Sequence, residues 1–413
     1  MSQTTLLTRE PVVNKNRAIT ANRLIAHGPS IASVAEALAS QAEVWPTHHP
    51  VFVSLGRLVP TPELMQWTIP DNAAIEIPAQ TLAHPQTQAL MAQLRDAGVG
   101  MCLTWFQPGT ALPAGHDWRF VLMDARRCPT PSGAPGLSLA WGLGDIAAFR
   151  DAVGAGFDGA SGWFFLHGNP PAKALTPGHA QIVRLLNLVR NNGDIRDIER
   201  VLKQDVALSY KLLRYINSAG FGLMCEIQSF RHAVSILGYD ALNKWLSLLL
   251  VTASRDPSAP ALMQTAIARG RFMEEIGSSF FEAGERDNLF ITGAFSLLHT
   301  LLGTSMQTLL EEMNLPSNVS EALLYGQGEF APFLRLAQSC EQFDVKALTA
   351  AASELHLPFE KVNRPSSSAS ASPTACTPET DALRRCGRCG GAPGALVLRP
   401  HATPVTVGNG VYR

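Results

Sequence analysis

VLKQDVALSYKLLRYINSAGFG, residues 201–222, is the stretch that decides how this chain is read. From Gln204 onward, Leu208, Leu212, Leu213 and Ile216 recur at the spacing of one helix face. The run Asn217-Ser218-Ala219-Gly220 predicts the helix end, because Asn and Gly tolerate the left-handed backbone that a helix terminus uses. Ser229 is placed to cap a second helix, which carries Ala233, Ile236 and Leu237 and stops at Gly238. Asp240 can cap a third, in which Leu242, Trp245, Leu246, Leu249 and Leu250 leave little polar surface, so it is expected to be buried on several sides. Three helices with short connections, the last one central, make an all-α core.

Working outward, strand signals dominate the first 170 residues. Val51 to Leu55, Ala74 to Ile77, Val99 to Phe106, Phe120 to Met123 and Leu137 to Trp141 are short apolar runs that read as buried strands. Between them, Ile31, Val34, Ala35 and Leu38 share a helix face, as do Leu90, Met91 and Leu94, and Asp145 caps a further helix running to Val153. Alternating strand and helix implies a parallel sheet clothed by helices, and the number of units favours a (β/α) barrel, complete or short of a full set. Proline marks a linker, and beyond it further helices are expected at 179–189, 194–202, 261–281, 287–302, 305–313, 317–325, 331–342 and 345–355. From Pro365 the sequence turns to Ser, Pro and Ala without apolar periodicity, which predicts a disordered tail. The expected organisation is a barrel over 1–172, a linker over 173–178, an all-α domain over 179–364 and a tail over 365–413.

A hydrophobic share of 46% against 16% charged residues describes a globular protein with good cores. With a net charge of −1, no global field draws nucleic acid or acidic membrane, so no nucleic-acid partner is expected. The opening MSQTTLLTREPV lacks the apolar core of a signal peptide. The most apolar run, Trp245 to Ala253, is far short of the roughly 20 residues that span a bilayer, so no membrane span is expected. Seven scattered cysteines argue against a disulfide framework and for the cytoplasm.

Gln204-Asp205, Leu208, Leu212-Leu213, Asn217-Ser218, Ala233 and Leu237-Gly238 together resemble the signature of the HDOD domain, a helical bacterial signalling domain related to metal-dependent HD phosphohydrolases. Val206 stands where that family usually has proline. The N-terminal half resembles, by position, the EAL barrel that hydrolyses the bacterial messenger cyclic di-GMP. What the EAL resemblance implies is a site of two divalent cations held by carboxylates and an amide, generating a metal-bound hydroxide. Carried onto this chain, the name-giving glutamate falls at Asn22 and the following asparagine at Ser54. The next glutamate survives as Glu76, whereas the paired aspartates become Thr104-Trp105. The lysine before Asp124 becomes Leu122, later glutamates fall in Trp141 to Gly144, and the glutamine before Gly162 becomes Ser161. Trp, Leu and Gly do not ligate Mg²⁺, and one carboxylate cannot offset two dications. In the helical half, the His-Asp pair of an HD site falls at His299-Thr300, and Thr265 to Phe272 supplies Arg269 and Arg271 but no histidine.

Other candidates read as structural. Glu76 is a solitary carboxylate at a strand end. The side chains of His48 and His49 diverge on an extended segment. Cys386 and Cys389 have the spacing of half a zinc knuckle, which Cys376 and His401 could complete in principle, but they lie in the tail. Arg384, Arg385 and Arg388 read as a solvated basic patch. Gly154 to Gly159 lacks the lysine and the strand-to-helix setting of a phosphate loop.

These readings converge on an expected non-enzyme with no catalytic, cofactor-binding or metal residues: a cytoplasmic signalling scaffold that acts through its HDOD domain on other signalling proteins. A cyclic di-GMP receptor that binds without cleavage is the alternative, and a residual metal-dependent phosphohydrolase ranks third.

Overall fold

In a computed structural model, the described residues are 5–167, 177–204, 212, 230–252, 259–342 and 345–368. Most of 201–222 lies outside them, as do residues 173–176 of the expected linker and 369–413 of the expected tail. Leu212, from the deciding stretch, is fully buried.

Eight strands close into a barrel in sequence order. They are β1 (Leu6–Asn14), β2 (Ile19–His27), β3 (Val51–Ser54), β4 (Ala73–Pro78), β5 (Gly100–Thr104), β6 (Phe120–Asp124), β7 (Leu137–Trp141) and β8 (Gly159–Ser161). The expected runs supply β3 to β7. Strand β1 runs antiparallel to β2, with Arg23 opposite Glu10, and closes the barrel by antiparallel pairing of Val12 with Ser161. All other neighbours are parallel. The barrel is therefore complete.

Period-2 alternation sorts each strand between lumen and shell. Val12, Ala21, Phe52, Ala74, Cys102, Phe120, Leu122 and Leu139 form a separate apolar cluster inside the barrel, where the rings of Phe52 and Phe120 sit 4.9 Å apart. Outward, Val53, Ile75, Leu103 and Val121 join the main core with α1 (Ile31–Ala39), α2 (Pro85–Asp96) and α3 (Ile146–Gly154). Ser30 and Ser33 cap α1 reciprocally, and Asp145 caps α3 by accepting from the Ala148 N–H at 2.8 Å.

The rest is helical: α4 (Pro177–Arg190), α5 (Ile195–Lys203), α6 (Phe230–Thr252), α7 (Ala259–Gly277), α8 (Ala283–Phe295), α9 (Leu298–Leu302), α10 (Met306–Glu312), α11 (Ser317–Tyr325), α12 (Ala331–Ser339), α13 (Val345–Glu354) and α14 (Phe359–Ser368). Helix α6 is interrupted at Gly238, whose φ of 74° is non-helical, where the sequence predicts a stop. Val234–Thr252 is long and apolar enough to cross a membrane by length and composition, with half of its most apolar window buried. The shorter run expected from sequence is thus extended by Val234, Ile236 and Leu237, across the glycine. The expected helix over 287–302 divides at Ser296, whose hydroxyl turns back to the Gly293 carbonyl at 2.6 Å. Helix α14 carries regular structure to Ser368, four residues into the stretch expected to be tail.

Helices α7 and α8 approach through glycine. A Cβ built on Gly293 would lie 2.7 Å from the Gly270 Cα and 2.8 Å from the Arg269 carbonyl oxygen, both backbone atoms that cannot swing aside. Gly293→Ala is therefore expected to push the helices apart at a cost of about 1–3 kcal/mol. The urea midpoint of the variant, against wild type, measures it.

The two halves meet along β1. The Asn363 side chain on α14 accepts from the Leu7 N–H at 2.9 Å and donates to the Thr5 carbonyl at 3.0 Å. Nearby, Arg9 and Trp163 from the barrel face Thr265, Arg269, Phe272 and Glu341 across a small cavity.

Candidate functional site

In barrels of this type the carboxyl ends of the strands present side chains toward one mouth. The mouth here is built in two tiers. The inner tier is a buried ion cluster. Arg23 forks onto Glu76, Nε to Oε1 at 2.5 Å and Nη2 to Oε2 at 2.9 Å, and Nη1 reaches Glu10 Oε2 at 3.0 Å. Ser161 donates to the same Glu10 oxygen at 3.1 Å. All four residues are buried. Burial works against the charge of Arg23, yet Glu76 and Glu10 hold its guanidinium above its ordinary range. Burial pushes the Glu10 carboxyl up, against the opposing pull of Arg23 and Ser161. Burial beside Glu76 also raises the Cys102 thiol, which leaves it a neutral packing group.

The outer tier is aromatic and cationic. Trp105 follows β5 with a left-handed φ of 58° and is 42% exposed. Its ring meets that of Trp141, at the end of β7, edge-on at 4.9 Å. The Arg126 guanidinium lies 5.3 Å from the centre of the Trp141 ring, a cation–π distance. Asp124 orients Arg126 by accepting from Nε at 3.0 Å and from Nη2 at 3.1 Å. Burial pushes the Asp124 carboxyl up, but the Arg126 hydrogen bonds and charge outweigh it and hold it below the usual carboxylate range. Gly142 leaves room for this arrangement, since a Cβ there would meet Arg126 Nε at 2.8 Å. Left-handed backbone at a bulky residue is uncommon and gathers where a fold presents a side chain for use. Trp105 holds this backbone at the rim.

Several sequence-mapped positions fall elsewhere than expected. Asn22, the counterpart of the name-giving glutamate, accepts from Arg9 Nε at 2.8 Å on the face turned away from the ion cluster. Its neighbour Arg23 takes the lumenal place, and Glu10, which the motif mapping did not single out, joins Glu76. Glu76 is thus not solitary. Ser54, Thr104, Leu122 and Ser161 are buried, whereas Trp105 and Trp141 shape the rim. A divalent cation does not fit the lumen: its carboxylates Glu10 and Glu76 are engaged by a guanidinium, and no three His, Cys, Asp or Glu side chains among the described residues group closely enough to hold an ion.

In the helical half, His299 Nε2 meets the Thr300 hydroxyl at 3.1 Å. Burial and the nearby Arg269 charge lower its basicity. Arg269 is itself committed, to Glu341 through Nε at 3.0 Å and Nη2 at 2.5 Å, and to the Ser296 hydroxyl through Nη1. His48 is exposed and His49 half-buried in a loop. Gly154 to Gly159 spans the end of α3 and the start of β8. Cys376, Cys386, Cys389, His401 and the tail arginines lie outside the described residues.

The family model for the HDOD domain matches residues 176–349. Over 220 residues, 52% of this chain and 50% of the relative, the protein is 30% identical to the cyclic di-GMP phosphodiesterase CdgJ of Vibrio cholerae. The chain spans about half the length of the curated relatives it matches. Among solved structures, a candidate signal transduction protein from Marinobacter aquaeolei is similar over 89% of this chain and 90% of its own, at 14% identity and a TM-score of 0.33. A manganese and cyclic di-GMP complex of Klebsiella pneumoniae BlrP1 is similar over 40% of this chain and 55% of its own, at 14% identity and a TM-score of 0.32. The expectation that the chain is not an enzyme is corrected here, because the Vibrio relative is named for a hydrolytic activity.

Proposed function

We propose, for a chain that carries an HDOD domain over residues 176–349, a role in cyclic di-GMP signalling. The barrel mouth receives the nucleotide, and the HDOD domain passes its occupancy to another signalling protein in the cytoplasm. One observation carries this reading: the Trp105–Trp141 pair with Arg126 is a platform for a planar base beside a phosphate. Stacking on aromatic rings is tolerant of base identity, and a guanidinium held by a carboxylate keeps a fixed direction toward an oxyanion. The kinship to a protein named for cyclic di-GMP chemistry supplies the ligand class.

Titration of cyclic di-GMP into the full chain tests it. Trp105→Ala is expected to weaken binding by about 1–3 kcal/mol, the worth of one stacked base, or roughly 5- to 150-fold. Equal binding by wild type and variant, or none by either, would remove the mouth as receptor.

A second reading, favoured by the name of the Vibrio relative, is hydrolysis of the nucleotide. Chromatography of the same incubations for a linear dinucleotide decides it. Product formed by wild type and lost in Glu76→Gln would move the lumenal carboxylates from a structural to a chemical role.

A further inference from the structure

Arg190 is the last residue of α4, and its side chain turns into a cleft of the helical half far in sequence from the barrel mouth. The cleft, about 490 Å³ and open to solvent, is lined by Arg190, Tyr239, Asp240, Asn243, Asn288 and Asn314, among others. That volume is in the range of small-molecule sites. Unlike most such sites, its named walls are amide, phenol and charge.

Two groups in it are unfinished. Arg190 Nε and Nη2 are buried and make no hydrogen bond among the described residues, and Asn243 Oδ1 is in the same condition. A lysine or arginine near a helix C-terminus is ordinarily explained by the helix dipole, but that favours a solvated head group, not a buried one. Burial depresses the basicity of the Arg190 guanidinium to about 10, and among the described residues no carboxylate opposes that shift. Two buried guanidinium N–H groups without an acceptor are costly, and a buried amide oxygen without a donor adds to the cost. The walls around them are held in place: the Tyr239 hydroxyl donates to the Gly193 carbonyl at 2.8 Å, and the Asn314 N–H to Asn187 Oδ1 at 2.9 Å.

We propose that this cleft binds a small molecule bearing a phosphate or carboxylate group, with Arg190 gripping the oxyanion and Asn243 accepting an N–H or O–H from the same molecule. A guanidinium fork matches either oxyanion with two parallel hydrogen bonds. Asp240 on the rim sets a further condition: the ligand presents its donor side, not a second anion, toward that carboxylate.

The test is thermal unfolding and calorimetry of the full chain with inorganic phosphate in one arm and sodium acetate in the other, against sodium chloride at matched ionic strength. Wild type is expected to gain about 2–4 °C in one arm at a saturating concentration. The arm that responds identifies the oxyanion. Arg190→Met is expected to lose the anion response while melting in chloride no lower than wild type, because it removes two buried N–H groups that have no acceptor among the described residues. Arg190→Lys, which keeps the charge and loses the fork, is expected to bind the anion at least tenfold more weakly. An equal anion response in Arg190→Met, a wild type indifferent to both anions, or an Arg190→Met variant that melts well below wild type in chloride would each overturn the proposal. The last outcome would make Arg190 a structural residue.

Discussion

Arg23→Met is expected to lower stability by about 3–5 kcal/mol at neutral pH, the usual cost of removing one partner from a buried ion pair. The guanidinium serves two carboxylates at once, so its loss strands Glu10 and Glu76 together in the barrel. The pH dependence has a definite sign. Glu10 already titrates above its ordinary range because burial disfavours its charge. An acid whose folded pKa is raised contributes stability that is complete below its unfolded value, about 4.3, and is lost as pH rises through the folded value. Without Arg23, which opposes that shift, the Glu10 carboxyl moves further in that direction. The deficit of the variant is therefore expected to be largest at pH 8 and to shrink toward pH 5. Urea midpoints of wild type and variant at the two pH values measure it, and a deficit independent of pH would contradict the electrostatic account. Arg23→Lys, which keeps a charge but not the fork, is expected to fall between.

Glu341→Ala is expected to cost a similar amount, about 3–5 kcal/mol, but without that pH dependence. Glu341 neutralises Arg269, whose side chain is 4% exposed, and its field also reaches Arg9 across the seam. Burial lowers the Arg9 guanidinium to about 10, with Glu341 the opposing influence. Removing Glu341 leaves two guanidinium groups facing one small cavity with no anion between them. For a base whose folded pKa is depressed, stability returns only as pH climbs through that value, so acid gives no relief. The deficit of Glu341→Ala is thus expected to stay constant from pH 8 to pH 5, where that of Arg23→Met fades. Small-angle scattering adds a geometric reading, since repulsion across the seam should enlarge the radius of gyration.

The contrast between these residues explains what the sequence shows and what it conceals. Strands β3 to β7 are legible because apolar residues run unbroken over both faces, as in Val51 to Val53 and Phe120 to Met123. Strands β1 and β2 are not, because Asn22 interrupts the pattern with a polar amide, and Glu10 and Arg23 with charges that find their partners only in the closed barrel. The break at Gly238 is written locally, in a residue that accepts a left-handed backbone. Motif mapping found Glu76, yet its partner Arg23 lies 53 positions away and becomes visible only when β2 and β4 are both in place. Trp105 and Trp141 had a readable signal, large aromatic residues at the ends of two strands, which motif mapping met only as lost metal ligands. Arg190 had none, because an unpaired cation is defined by what fails to pack against it.

Asn363 gives the first strand a dependence on the last helix. Its amide accepts from one peptide and donates to another two residues away, which is how a neighbouring strand would treat that margin. Strand β8 covers β1 only from Val12 to Asn14, so a single side chain stands in where a ninth strand would otherwise be needed. On the ribosome, the opening residues must wait for more than 350 others before this clasp is made. Until then, the amino half of β1 offers its peptide groups to any passing chain.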